Sequence, residues 1–140
     1  MSCLLINLLR LEKTMKKSGV NKIVGYPTPV QQAVYHLISN FKEQITLEDV
    51  ADTVGVSPSH LSKEFRKNVG MGFKEFLVDL RLKHACQLLV YSNEAITDIA
   101  YYCGFNSTSY FLTVFKKRYK MSPLKYRNSE KKLKGMETDI

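Results

Sequence analysis

The sequence predicts an all-α fold built around a repeated helix-turn-helix unit. Three observations carry that reading. One pattern occurs twice, about fifty residues apart: I-T-L-E-D-V-A-D-T-V-G-V-S-P-S-H-L-S-K-E-F-R-K from Ile45 to Lys67, and I-T-D-I-A-Y-Y-C-G-F-N-S-T-S-Y-F-L-T-V-F-K-K from Ile96 to Lys117. Glycines and capping residues punctuate apolar stretches of helical period. The β-branched runs are short and no hairpin turn signal occurs, so no strand is expected.

The two copies align on their packing positions. Val50 meets Ile99, Ala51 meets Ala100, Gly55 meets Gly104, Leu61 meets Phe111 and Phe65 meets Phe115. The offset changes from 49 to 50 at the turn, so the second turn carries one extra residue.

Each element follows from local chemistry. Leu4, Leu8, Leu11 and Met15 form a single stripe on a first helix. That helix packs on its own domain, mediates a dimer, or ends a missing upstream domain. Lys16 to Pro29, with two glycines and two prolines, reads as a linker. A helix follows from about Val30 to Phe41, with Val34, Leu37, Ile38 and Phe41 on one face. Thr46 caps the next helix, and Asp49 three residues on makes a variant capping box. Val50, Ala51 and Val54 face inward there, and Gly55 ends it in the left-handed conformation open to a residue without Cβ.

Ser57 caps the following helix, with Pro58 at its first position, where no backbone donor is needed. It runs to about Val69, before Gly70 and Gly72. Phe73 to Leu89 reads as one long helix of about 25 Å, with Phe73, Phe76, Leu77, Leu80, His84, Ala85 and Leu88 on its buried stripe. Tyr91 to Glu94 breaks it. Ile96 to Cys103 and Ser107 to about Lys120 repeat the two-helix unit, with Ser107 or Asn106 as the second cap. Pro123 starts a last short helix, and the polar tail from Ser129 to Ile140 is expected to fray. The domain boundaries are therefore 1–29, 30–128 and 129–140.

Composition narrows the function. A chain of 140 residues holds one compact domain, or two very small ones sharing a core. An apolar content of 44% argues against wholesale disorder. The net charge of +8 favours a polyanionic partner. From Lys116 to Arg127 there are six basic residues and no acidic ones. Cys3, Cys86 and Cys103 are far apart and form no metal-binding spacing, which argues against a disulfide framework or a zinc site. Cys86 and Cys103 read as small core residues, and the pattern fits a reducing cytoplasm. The Leu4 to Leu9 run is too short to span a bilayer and lacks the features of a signal peptide. No membrane association and no cofactor are expected.

A recognition helix needs an apolar back and a polar, basic front with small residues near its N-terminus. In Pro58 to Val69 the back is Leu61, Phe65 and Val69. The front offers Ser59, Ser62 and Lys63 to base edges, with His60, Arg66 and Lys67 nearer phosphates. In Ser107 to Lys120 the back is Phe111, Val114, Phe115 and Tyr119. Its front offers Thr108, Ser109, Leu112 and Thr113, followed by Lys116, Lys117 and Arg118 for phosphates. Phe111, Phe115, Tyr119 and Tyr126 are expected in the core. Arg81 is expected partly buried and paired, with Asp49, Asp52 or Asp98 as its partner.

On these residues Val30 to Asn128 resembles the DNA-binding domain of AraC/XylS-type bacterial transcription regulators. The match rests on "ITLEDVADTVGVSPSHLSKEFRKNVG", "RLKHACQLL", "ITDIAYYCGFNSTSYFLTVFKKRYKMSPLKYR" and the closing G-F-x(9)-F-K-x(6)-P-x-x-Y-R. The resemblance implies a seven-helix domain, two helix-turn-helix subdomains bridged by a long helix. It also implies recognition helices that enter successive major-groove segments of double-stranded DNA. Carried over by position, the base-facing residues are Ser59, Ser62 and Lys63, then Ser109, Leu112 and Thr113 with Thr108 beside them. The function implied is sequence-specific transcription regulation, most often activation, with RNA polymerase as a further contact.

The second front departs from the family's stronger readers. It holds no Arg, Gln or Asn, so bidentate base contacts are limited there, and phosphate, methyl or shape readout carries more weight. Two other classes stand beside this reading. Some DNA-repair methyltransferases carry such a domain beside a zinc-held cysteine, but this chain has no four-cysteine cluster, so an enzyme is not expected. A helical interaction module that no longer reads DNA is the other. Met1 to Pro29 leaves no room for a sensor domain, so the chain is a stand-alone regulator or, as its apolar first helix favours, the output part of a larger one.

Overall fold

The computed structural model describes residues 28–138, with side chains placed through residue 133. Those residues form seven helices and no strand. They are α1 (Pro29–Asn40), α2 (Leu47–Val54), α3 (Pro58–Val69), α4 (Phe73–Tyr91), α5 (Ile96–Tyr102), α6 (Thr108–Tyr119) and α7 (Pro123–Thr138). The apolar stripe of Leu4 to Met15, and the linker up to Pro27, lie outside the described residues. The chain divides into two compact units between Leu80 and Arg81, within α4.

Unit one comprises α1, α2, α3 and the first part of α4. Its core joins Val34 and Leu37 of α1, Val50 and Ala51 of α2, Leu61 and Phe65 of α3, and Phe76 and Leu80 of α4. Phe65 is fully buried. Its ring meets Phe73 and Phe76 edge-on, at centroid distances of 5.6 and 5.5 Å, the arrangement aromatic quadrupoles favour.

Helix α1 begins one residue earlier than the periodicity indicates. Thr28 is its N-cap, Pro29 its first residue and Gln31 its third. Gln31 N–H donates to Thr28 Oγ1 at 3.2 Å, and Thr28 N–H donates to Gln31 Oε1 at 2.9 Å. This full capping box lies in a stretch whose prolines read as linker. At α2, Thr46 Oγ1 accepts from Asp49 N–H at 3.1 Å, and Val54 is half-buried beside the core.

Unit two comprises the rest of α4 with α5, α6 and α7. Its centre is aromatic: Phe105, Phe111 and Phe115 are buried. Phe111 and Phe115 lie 5.7 Å apart, and Phe115 meets Tyr119 at 4.7 Å and Tyr126 at 5.6 Å. The aromatic set is packing, as its spacing predicts.

Helix α4 departs from its predicted stripe. Beyond Leu80 the buried positions are Arg81, Leu82, Ala85, Cys86 and Leu89, while His84 and Leu88 are half-buried. A single stripe cannot describe a helix whose two halves belong to different units. The helix also runs two residues past Leu89. It ends where Ser92 bonds back to Leu88 O through both N–H (3.0 Å) and Oγ (2.6 Å).

Helix α7 is longer than predicted and covers much of the expected tail. Its early turns are anchored rather than loose. Arg127 Nε donates to Leu89 O at 2.9 Å, and Arg127 Nη2 donates to Glu94 O at 2.8 Å. Lys131 Nζ donates to Ser92 O at 3.3 Å and to Asn93 Oδ1 at 2.6 Å. Lys131, counted in the polar tail, thus joins Arg127 in tying down the loop after α4.

The C-terminus of α3 passes through Gly70 (φ 87°), and α6 ends in the same left-handed conformation on Lys120 (φ 64°). A side chain in that region costs roughly 1–2 kcal/mol. K120G should therefore raise the urea midpoint by the equivalent of about 1 kcal/mol; an unchanged or lower midpoint contradicts strain at this position.

Candidate nucleic-acid interface

The two copies build the same turn from the same bonds. After α2, Gly55 adopts φ 80° and ψ 30°, and Val56 N–H reaches back to Ala51 O at 3.0 Å. After α5, Gly104 adopts φ 97°, and Phe105 N–H reaches back to Ala100 O at 3.0 Å. Both are six-residue closures around a left-handed glycine. The next helix in each copy is capped by a serine. Ser57 Oγ accepts from His60 N–H at 3.2 Å, and Ser107 Oγ accepts from Tyr110 N–H at 3.1 Å. Ser107, not Asn106, is the cap. The extra residue of the second turn falls between Phe105 and Ser107, and it is Asn106.

Turn and cap together fix which face of each second helix is free. On α3, Leu61, Phe65 and Val69 are buried. Ser59, His60, Ser62, Lys63, Arg66 and Lys67 are all exposed. The small residues sit in the first turns and the cations toward the C-terminal end. Helix α6 repeats the layout, with Phe111 and Phe115 buried. Ser109, Leu112, Thr113, Lys116, Lys117 and Arg118 are exposed, and Thr108 is half-buried. Every sequence-predicted front residue is thus solvent-facing on its own helix, Thr108 in part.

The fronts differ in detail that sequence alone does not give. Thr113 Oγ1 donates to Ser109 O at 2.9 Å. Its proton is committed to its own helix, a common behaviour of mid-helix threonine, so the hydroxyl offers lone pairs and a methyl group rather than a donor. The Arg118 guanidinium lies 5.9 Å from the Tyr119 ring centroid, within cation–π range. In unit one, Arg66 Nη2 lies 3.3 Å from Glu75 Oε1 on α4. The Arg66–Glu75 pair joins two helices, so reading each helix alone misses it. The signal was available in the repeat, where Glu75 aligns with Lys125.

Two basic residues prove structural. Arg127, part of the basic run after α6, is spent on carbonyls of unit two, as described above. Arg81 is buried as expected, with its guanidinium 6.0 Å from the Phe105 ring centroid. Burial pulls its pKa below the ordinary arginine value, and Tyr110 and Cys103 act in the opposite direction. Asp98, one of its expected partners, is exposed. Cys86 and Cys103 are buried free thiols, in keeping with their reading as core residues. Among the described residues no group of His, Cys, Asp and Glu could hold a metal ion, and no helix is long and apolar enough to cross a membrane.

The fold and its two exposed fronts define a tandem helix-turn-helix protein. Comparison with known proteins makes the assignment narrower. Residues 50–129 match the family model described as "Helix-turn-helix domain". The lactose operon transcription activator of Staphylococcus xylosus is 38% identical over 99 residues, covering 71% of this chain and 36% of that protein. The C-terminal domain of AraT, a response regulator from Geobacillus stearothermophilus, superposes with a TM-score of 0.70 at 33% identity, covering 72% of this chain and 84% of that one. The DNA-binding domain of AdpA, solved in complex with a target DNA, superposes with a TM-score of 0.70 at 25% identity, covering 73% and 92%. The chain belongs to the AraC-type helix-turn-helix family of transcription regulators. It spans well under half the length of the Staphylococcus xylosus relative.

The Arg127 anchor is testable apart from DNA. R127K keeps the charge but loses the fork that reaches two carbonyls at once. It should lower unfolding free energy by about 2 kcal/mol with little change in the salt dependence of DNA binding. An unchanged stability with a shallower salt slope places Arg127 at the phosphates instead.

Proposed function

We propose that this chain is the DNA-binding output of a transcription regulator that activates transcription from a promoter. The observation that carries this reading is the pair of capped helices whose backs are buried and whose polar, basic fronts are exposed. In unit one, Ser59, Ser62 and Lys63 read base edges in the major groove, and His60, Arg66 and Lys67 hold phosphates. In unit two, Thr108, Ser109, Leu112 and Thr113 face the bases, and Lys116, Lys117 and Arg118 hold the backbone. The two helices occupy successive major-groove segments of one duplex, and AdpA's DNA-binding domain, a structural neighbour, was solved on its target DNA. The named lactose operon activator among the relatives supports activation rather than repression. Contact with RNA polymerase at the promoter, dimer formation through the Leu4 to Met15 stripe, and action in the cytoplasm without catalysis complete the proposal.

The two units do unequal work in this reading. A lysine on unit one's front makes a directional contact with guanine, whereas the hydroxyls of unit two discriminate weakly. Unit two therefore contributes through the cations at the C-terminal end of α6, through methyl contacts and through DNA shape.

Fluorescence anisotropy with labelled duplex DNA tests the proposal. Binding should be evident at about 50 mM salt and fall steeply as salt rises. K63A/R66A should weaken it by at least an order of magnitude and flatten the log–log salt slope by about 1–2. Absence of binding, or binding with no salt slope, would sink the reading.

A further inference from the structure

Arg66, a cation of unit one's front, pairs with a carboxylate. Its guanidinium lies 3.3 Å from Glu75, and both side chains remain about two-thirds exposed, at 66% and 64%. The pair spans the turn from α3 to α4, where Gly72 stands. A Cβ on Gly72 would fall 2.7 Å from Arg66 Nη2 and 3.4 Å from Glu75 Oε1. Gly72 is not one of the left-handed glycines of this chain, so the backbone does not demand glycine there. A side chain there would instead push aside the Arg66 guanidinium, the far end of a flexible and largely exposed side chain, and so disturb the ion pair rather than the fold.

The second copy shows the alternative. Aligned at an offset of 50, Gly72 corresponds to Ser122, Glu75 to Lys125 and Arg66 to Lys116. Ser122 caps the next helix, its Oγ accepting from Lys125 N–H at 3.2 Å. Gly72 occupies the equivalent place, since Phe76 N–H bonds to Gly72 O just as Tyr126 N–H bonds to Ser122 O. Unit one thus forgoes a side-chain cap and carries a carboxylate where unit two carries a cation.

We propose that Glu75 is an internal counter-charge that weakens unit one's hold on the phosphate backbone by occupying Arg66 in the free protein, with Gly72 leaving room for the pair. The inference rests on the DNA-binding reading above. Phosphate must compete with Glu75 for the same guanidinium, so part of the sequence-independent attraction is cancelled. Base contacts from Lys63 and the serines are untouched. Glu75 therefore lowers affinity for random DNA, and it raises the share of binding that depends on base sequence. Unit two carries Lys125 and Ser122 at the equivalent positions, so Lys116, the counterpart of Arg66, meets no carboxylate at the place of Glu75, and unit two grips any backbone it meets.

The probe is a labelled random-sequence duplex, titrated with the full chain at several salt concentrations. E75Q should bind about two- to five-fold more tightly than the parent chain, the range expected for releasing one exposed ion pair. G72S, which intrudes on the pair while supplying the cap seen in the second copy, should also bind more tightly and melt no lower. In an R66A background the gain from E75Q should shrink. Weaker or unchanged binding by E75Q, or an equal gain with and without Arg66, overturns the proposal. If the parent chain binds with a salt slope and E75Q does not tighten it, only this inference falls; if the parent chain shows no salt-dependent binding, the DNA-binding reading falls and this inference with it.

Discussion

Everything the two fronts present depends on the burial of one phenylalanine behind each of them. Phe65 is locked edge-on between Phe73 and Phe76, and Phe115 sits among Phe111, Tyr119 and Tyr126. A helix anchored through such a ring has no freedom to roll, because rolling exposes apolar area at roughly 25 cal/mol for every Å² and breaks the edge-to-face contacts. The opposite face is then held outward. Serine caps fix where each helix starts, and the left-handed glycines at 55 and 104 fix the direction from which it starts. Packing, capping and turn are shared by both copies, and the polar fronts hang from that shared frame.

The copies diverge on the side that packing does not constrain. Unit one places a lysine among serines and balances Arg66 with Glu75. Unit two places hydroxyls and a leucine ahead of Lys116, Lys117 and Arg118, with one of its hydroxyl protons already given to the helix at Ser109 O. In the proposed role, base-edge chemistry is richer in unit one, and backbone attraction is stronger in unit two because no carboxylate stands at the place of Glu75. Phosphate contacts supply affinity and base contacts supply selectivity. A division between one discriminating unit and one gripping unit follows from that difference, within the proposed DNA-binding role.

Much of this was legible in the sequence because it is local. The caps at Thr46 and Ser57, the glycine stops, and the backs at Leu61, Phe65, Phe111 and Phe115 depend on residues within a few positions of one another. The start of α1 was equally local, yet its capping box lay between two prolines that signal linker as readily as helix onset. The misassigned stretches are those governed by distant partners. The stripe on α4 changes beyond Leu80 because the rest of the helix belongs to another unit, which a single-helix pattern cannot reveal. Helix α7 outlasts its polar composition because Arg127 and Lys131 reach carbonyls more than thirty residues away. The front residues lie on exposed faces as expected, Thr108 only in part, whereas the bond between Thr113 and Ser109 and the pairing of Arg66 with Glu75 needed side-chain geometry.

In the proposed role, two copies of one scaffold read DNA unequally. Selection of bound duplexes from a random-sequence pool tests it most directly. The expected result is an enriched site with one sharply constrained segment and, about one helical turn away, a second segment of weak or shape-like preference. Enrichment of two equally sharp segments, or no enrichment over the starting pool, contradicts it.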